Sequence, residues 1–159
     1  MTQQHKRLNM ENLQYFIMIA TTFLWIGFIC SISFMEAWLK FRAPGVTLPI
    51  GLSIGKLVFR ALNKVEWVFA IIIAIGMLIS KDHLTAFIFW GYGLTLFFLL
   101  TQTIWLLPSL DRRADALIGG QALSPSATHW YFIAGELGKV TALFLSGICL
   151  LKSLFIYLK

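Results

Sequence analysis

"THWYFIAGELGKVTALFLSGICLL", residues 128–151, is the stretch on which the fold turns. It is long and apolar enough to cross a bilayer, for which a helix needs roughly 20 mostly apolar residues. Yet it contains Glu136 and Lys139, one helical turn apart. Inside a bilayer each charge costs from about 2.5 to more than 10 kcal/mol. Both residues sit several positions inside the run, too deep for a short glutamate to reach outer water. They need a partner, neutralisation or water, and other segments must supply it.

Three more apolar blocks precede this one. They run from about Leu13 to Trp38, Val65 to Ser80 and Leu84 to Pro108. The second is short, but Ile54, Leu57, Val58, Ala61 and Leu62 extend it backwards at helical spacing. The predicted spans are 13–40, 52–80, 84–108 and 128–157. Composition agrees: 58% of the 159 residues are hydrophobic and 13% charged, against about a quarter charged in soluble domains. Mean hydropathy is +0.79. Nothing alternates like the strands of a membrane barrel, and no internal repeat appears. The expectation is all-α: one membrane domain over 1–159, an integral-membrane antiparallel four-helix bundle. The basic start "MTQQHKRLNMEN" precedes an apolar run too long for a signal peptide and without a small-residue cleavage site, so it reads as a retained first span.

Antiparallel threading puts both termini and the turn Lys81–His83 at one end. At the other lie the loops 41–51 and 109–127. Almost all polar residues fall in that far half. Glu36 and Lys40 end the first span, and Lys56, Arg60, Asn63, Lys64 and Glu66 begin the second. Gln102 lies late in the third span, and His129, Glu136 and Lys139 early in the fourth. Helical spacing gathers these into one polar stripe per span: Ser33, Glu36 and Lys40; Lys56, Arg60, Asn63 and Glu66; Tyr92, Thr95 and Gln102; His129, Glu136 and Lys139. Such stripes face one another or a wet cavity rather than lipid. Glu136 has two candidate cations, Lys139 and Arg60, and Glu66 is a second candidate acid for Lys139. Lys40, Lys56 and Lys64 have a plainer role available, snorkelling to head groups.

Between the spans, Pro49 suits the start of the second helix. Ser124 with Pro125 suits the start of the fourth. "LDRRADALIGG" predicts a short interfacial helix over 109–119, stopped by Gly119-Gly120. Several of the tryptophans fall at span ends, as in an aromatic belt, while Trp67 and Trp105 are candidates to line the polar site. Gly135, Gly138 and Ala142 permit close helix packing, and the glycines of "IGLSIG" read the same way.

The chemistry-bearing motifs are few. Cys30 and Cys149 lie in apolar spans without a C-x-x-C and read as buried small residues. His5, His83 and His129 lack metal-site spacing, so no metal ligands are assigned. No nucleophile elbow, phosphate loop or dinucleotide fingerprint occurs, and no cofactor is assigned. The net charge of +6 suits anionic lipid head groups rather than nucleic acid.

Two stretches, "FMEAWLKFRAPGVTLPIGLSIGKLVFRALNKVE" (34–66) and "WLLPSLDRRADALIGGQALSPSATHWYFIAGELGK" (105–139), resemble a loose class of small four-helix bacterial membrane proteins of unknown function. They cover somewhat under half the chain. The resemblance implies a helical membrane bundle, hence a multi-pass protein of a bacterial inner membrane, and no chemistry. Both ends carry basic residues, so the positive-inside rule gives no clear winner. Cytoplasmic termini are expected because acids can hold the basic residues of the far end.

The functional expectation is a polar intramembrane site, opposite the termini, that binds a small molecule or ion. Its lining is Glu36, Arg60, Asn63, Glu66, Gln102, His129, Glu136 and Lys139. One alternative is a membrane enzyme on a lipid-like or quinone-like substrate, with His129, Glu136 and Glu36 as acid–base groups. The other is a structural or accessory subunit of a membrane complex, whose charges specify packing. A homo-oligomer is compatible with so small a unit. The lipid bilayer is the expected partner in every case.

Overall fold

Thr47, extended, leads into Leu48 and Pro49, and there the second long helix begins. Proline is tolerated in a first turn because its missing N–H has no helical partner to lose. The computed structural model describes the backbone of residues 2–80, 84–121, 123, 124 and 126–157, and side chains over 13–80, 84–121, 123, 124 and 126–155. The side chains of His5, Lys6, Arg7, Lys81, His83, Pro125 and Lys159 lie outside the described residues.

Four helical rods follow one another. The first is α1 (Thr2–Ile29), a π-helical stretch (Cys30–Glu36), α2 (Ala37–Leu39) and a 3-10 turn (Lys40–Arg42). The second is α3 (Leu48–Ile79), which starts four residues before the position expected from hydropathy. The third joins α4 (Ala86–Thr101), a π-helical stretch (Gln102–Leu106) and α5 (Leu107–Ile118). The fourth is α6 (Thr128–Tyr157). All four are long and apolar enough to cross a membrane.

The separate helix expected over 109–119 is instead the continuation of the third rod. Pro108 does not end that rod because a widened turn precedes it, where the Leu107 N–H bonds Gln102 O. The rod stops at Gly119, with Gly120 at φ +80. The cap expected at Ser124 also lies elsewhere: Ser126 Oγ accepts the Thr128 N–H, while the Ser124 carbonyl takes a bond from Arg113.

Neighbouring rods run antiparallel. At one end Ser80 bonds Gln14 and Thr85 meets Cys149; at the other Trp105 stacks on Tyr131. α1 packs on α3 and α6, and α6 on α4. The ring closes chiefly where α5 packs on α3, away from the termini. Close approach relies on missing side chains. A Cβ on Gly138 would lie 2.6 Å from the Phe98 ring, so α6 meets the third rod through glycine.

The core is a column of Tyr15, Met18, Trp25, Ile29, Ile73, Ile88, Tyr92, Leu99, Leu143 and Leu150. The outside is equally apolar: Leu57, Leu78, Trp90 and Ile104 are each more than 70% exposed. Cys30 is exposed rather than buried as expected, and Cys149 is half-buried. The charged groups with least exposure lie inside: Glu66, Glu136 and Lys139. Among the described residues of the terminal half, the buried polar groups are neutral, such as Thr22 bonded to Tyr92.

Candidate functional site

Glu136 and Lys139 occupy one face of α6, three residues apart, and both are fully buried. Lys139 Nζ donates to Glu136 Oε1 at 3.2 Å and, across the bundle, to Glu66 Oε1 on α3. Glu66, 2% exposed, also accepts the Trp25 indole N–H of α1 at 2.9 Å. The third rod completes the cluster through Gln102, the first residue of its π-helical stretch. Gln102 Nε2 donates to Glu136 Oε1 at 3.0 Å and approaches the Phe132 carbonyl at 3.4 Å. All four rods thus meet at one point.

The cluster is unbalanced. Two carboxylates share one ammonium, and both lysine bonds go to single oxygens. Glu136 Oε2 and Gln102 Oε1 are buried and accept no hydrogen bond from the described residues. Buried polar atoms are nearly always paired. Glu136 and Gln102 are hydrogen-bonded to each other, and each keeps one buried oxygen free to accept a donor or a cation.

A ladder of polar pairs links this cluster to the end of the bundle opposite the termini. From inside outward, Glu66 pairs with Lys139, Asn63 Nδ2 donates to Thr103 Oγ1 at 2.9 Å, Arg60 pairs with Asp111 at 2.6 Å and Lys56 pairs with Asp115. Lys56, Arg60 and Asn63 follow the i, i+4, i+7 spacing of one α3 face. Trp67 Nε1 also donates to Thr103 Oγ1, at 3.1 Å. A polar groove of about 450 Å³ lies along the outer rungs, lined by Arg60, Thr103, Asp111, Arg112 and Asp115 among others.

Of the eight site residues expected from sequence, Glu66, Gln102, Glu136 and Lys139 meet in the cluster, and Asn63 stands one rung away. Arg60 is not a partner of Glu136; its guanidinium reaches Asp111 instead. Glu36 is held by Lys40 at 3.1 Å. His129 is exposed and lines a different cavity. Of the acid–base set of the enzyme alternative, Glu136 lies in the buried cluster, whereas Glu36 is paired with Lys40, which lines the cavity that His129 also lines. Trp67 adjoins the cluster through Thr103, whereas Trp105 is exposed. Trp25 and Thr103 escaped sequence reasoning because both lie in apolar runs, where one N–H or hydroxyl leaves no periodic signal. Asp111 and Asp115 did leave one: their i, i+4 spacing matches Lys56 and Arg60 in antiparallel order.

Among the described residues, no three His, Cys, Asp or Glu side chains converge as a metal-ligand group. In comparison with known proteins, no family model matches the chain, and neither does a curated protein or a solved structure.

Proposed function

We propose that this chain is a multi-pass membrane protein whose buried cluster binds one small cation, a proton or a monovalent metal ion. The apolar exterior around an ionised interior supports the membrane placement, since soluble monomers rarely expose such large apolar surfaces. The observation that carries the cation is the pair of orphaned oxygens, Glu136 Oε2 and Gln102 Oε1, beside two carboxylates and a single ammonium. One added positive charge makes the cluster neutral. The polar ladder supports access from the end opposite the termini. Three of the basic residues at that end, Lys40, Lys56 and Arg60, are ion-paired, and this reading places the termini in the cytoplasm.

The test uses protein purified in mild detergent. Thermal unfolding is followed in lithium, sodium, potassium and choline chlorides at equal ionic strength, and infrared spectra are recorded in the carboxyl region. A bound metal ion raises the melting temperature over choline. A bound proton gives a protonated carboxyl stretch instead. Either effect disappears in Glu136→Gln, which removes the surplus charge. A protein with neither cation dependence nor a protonated carboxyl has no such site, and its charges serve packing alone. Separately, resistance of the chain to alkaline extraction from membranes tests the placement.

A further inference from the structure

A second cavity, of about 280 Å³, lies at the end of the bundle away from the termini. Its apolar wall comes from Phe41, Leu52, Phe59, Leu107, Leu110 and Leu117, where the end of the first rod, the start of α3 and α5 come together. Lys40, Lys56, Arg113, His129 and Asp111 interrupt that wall. The volume falls just below the range of about 300–1,000 Å³ for small-molecule sites. It suits part of a chain whose remainder stays outside.

Lys40 is the feature that packing does not account for. Its side chain is 8% exposed, and its ammonium stands 5.5 and 5.3 Å from the Phe41 and Phe59 ring centroids. Gly55 makes room for it, because a Cβ there would lie 2.8 Å from Nζ. Its one described hydrogen bond goes to Glu36. An ammonium has three donors, so two take no protein oxygen among the described residues. Arg113 bonds the Ser124 carbonyl and forms no ion pair among the described residues. Of the charged groups lining the cavity, Lys40 is paired with Glu36, Lys56 with Asp115 and Asp111 with Arg60, while Arg113 has no carboxylate partner among the described residues. One positive charge is left over.

We propose that this cavity is a binding site for an acidic phospholipid, with one acyl chain between α3 and α5 and the phosphate beside Arg113 and Lys40. The apolar wall takes the chain, and the surplus cation matches the single charge of a phosphodiester. The proposal rests on the membrane placement but not on the buried cation site.

Native mass spectrometry of delipidated protein with equimolar phosphatidylglycerol and phosphatidylcholine tests it. One phosphatidylglycerol per chain is retained, preferred by about fivefold, as expected for one basic residue acting on an anionic lipid. Arg113→Gln brings the two lipids to near parity. Leu117→Trp, which fills the cavity, lowers retention of both. Glu136→Gln retains phosphatidylglycerol like the wild type, which separates this site from the cation cluster. Equal retention of the two lipids by the wild type overturns the proposal even if a variant fails to fold. So does undiminished retention by a folded Leu117→Trp, or a lipid-free dimer, which would give the cavity to a second copy.

Discussion

Glu66 of α3 and Lys139 of α6, 73 positions apart in sequence, form an ion pair with almost no access to solvent. A pair of this kind ties two rods at one depth and one rotation. Desolvation offsets much of its attraction, yet removing a single partner strands the other charge. Lys139→Met therefore lowers stability by about 3–5 kcal/mol, read from unfolding in mixed micelles. Combined with Glu136→Gln, the loss is smaller than the sum of the single losses. A Lys139→Met protein as stable as wild type would show that the ammonium is dispensable.

The two carboxylates are not equivalent. Glu66 holds Lys139 and Trp25 and Glu136 holds Lys139 and Gln102, but Glu136 also keeps a buried oxygen with no hydrogen bond from the described residues. Glu66→Gln is expected to cost more than Glu136→Gln by about 1–3 kcal/mol, the range for a hydrogen bond to a charged group and its disruption. Equal losses in the same unfolding measurement would contradict the asymmetry.

Trp25→Phe keeps an aromatic ring, though a smaller one, and deletes the N–H that Glu66 accepts. The expected loss is about 1.5–3 kcal/mol, because the acceptor is charged. Trp67→Phe deletes a bond to the neutral Thr103 hydroxyl and costs about 0.5–1.5 kcal/mol. Thermal melts of the two variants side by side give the comparison, and a reversed order would mean that Trp25 acts only by packing.

Gly138→Leu drives a side chain into the Phe98 ring. Overpacking of this kind costs about 1–3 kcal/mol. Phe98→Ala in the same chain restores part of the loss, because it removes the obstructing atoms. If the second change adds to the damage, the two residues do not share a contact.

The outer rungs of the ladder behave differently. Arg60 is about half exposed, and Asp115 more so. Solvent screens such pairs, so Lys56→Gln and Arg60→Gln each change stability by less than about 1 kcal/mol. A loss as large as that of Lys139→Met would mean that these rungs are buried in the native assembly.

Hydropathy alone exposes the four rods, and the cost of burying Glu136 and Lys139 points to a polar centre. Which residues meet there is harder to read. A helix turns about 100° per residue, so whether Arg60 or Glu66 faces α6 depends on a rotation that sequence periodicity does not fix. Arg60 also sits within reach of Asp111, which binds it first. The end of the third rod misleads for another reason. Pro108 reads as a stop, and only the widened turn ahead of it lets the helix continue.

That widened turn also sets the phase of everything beyond it. In an uninterrupted α-helix, Asp111 would sit about 80° around the axis from Thr103. One extra residue in the turn makes the interval act as seven positions, and the offset shrinks to about 20°. The third rod can then serve two clients in succession, turning Gln102 towards α6 and, within a few residues, a row of acceptors towards α3. Deleting one residue from 104–106 would therefore leave a plain α-helix whose far half keeps its aim at α3.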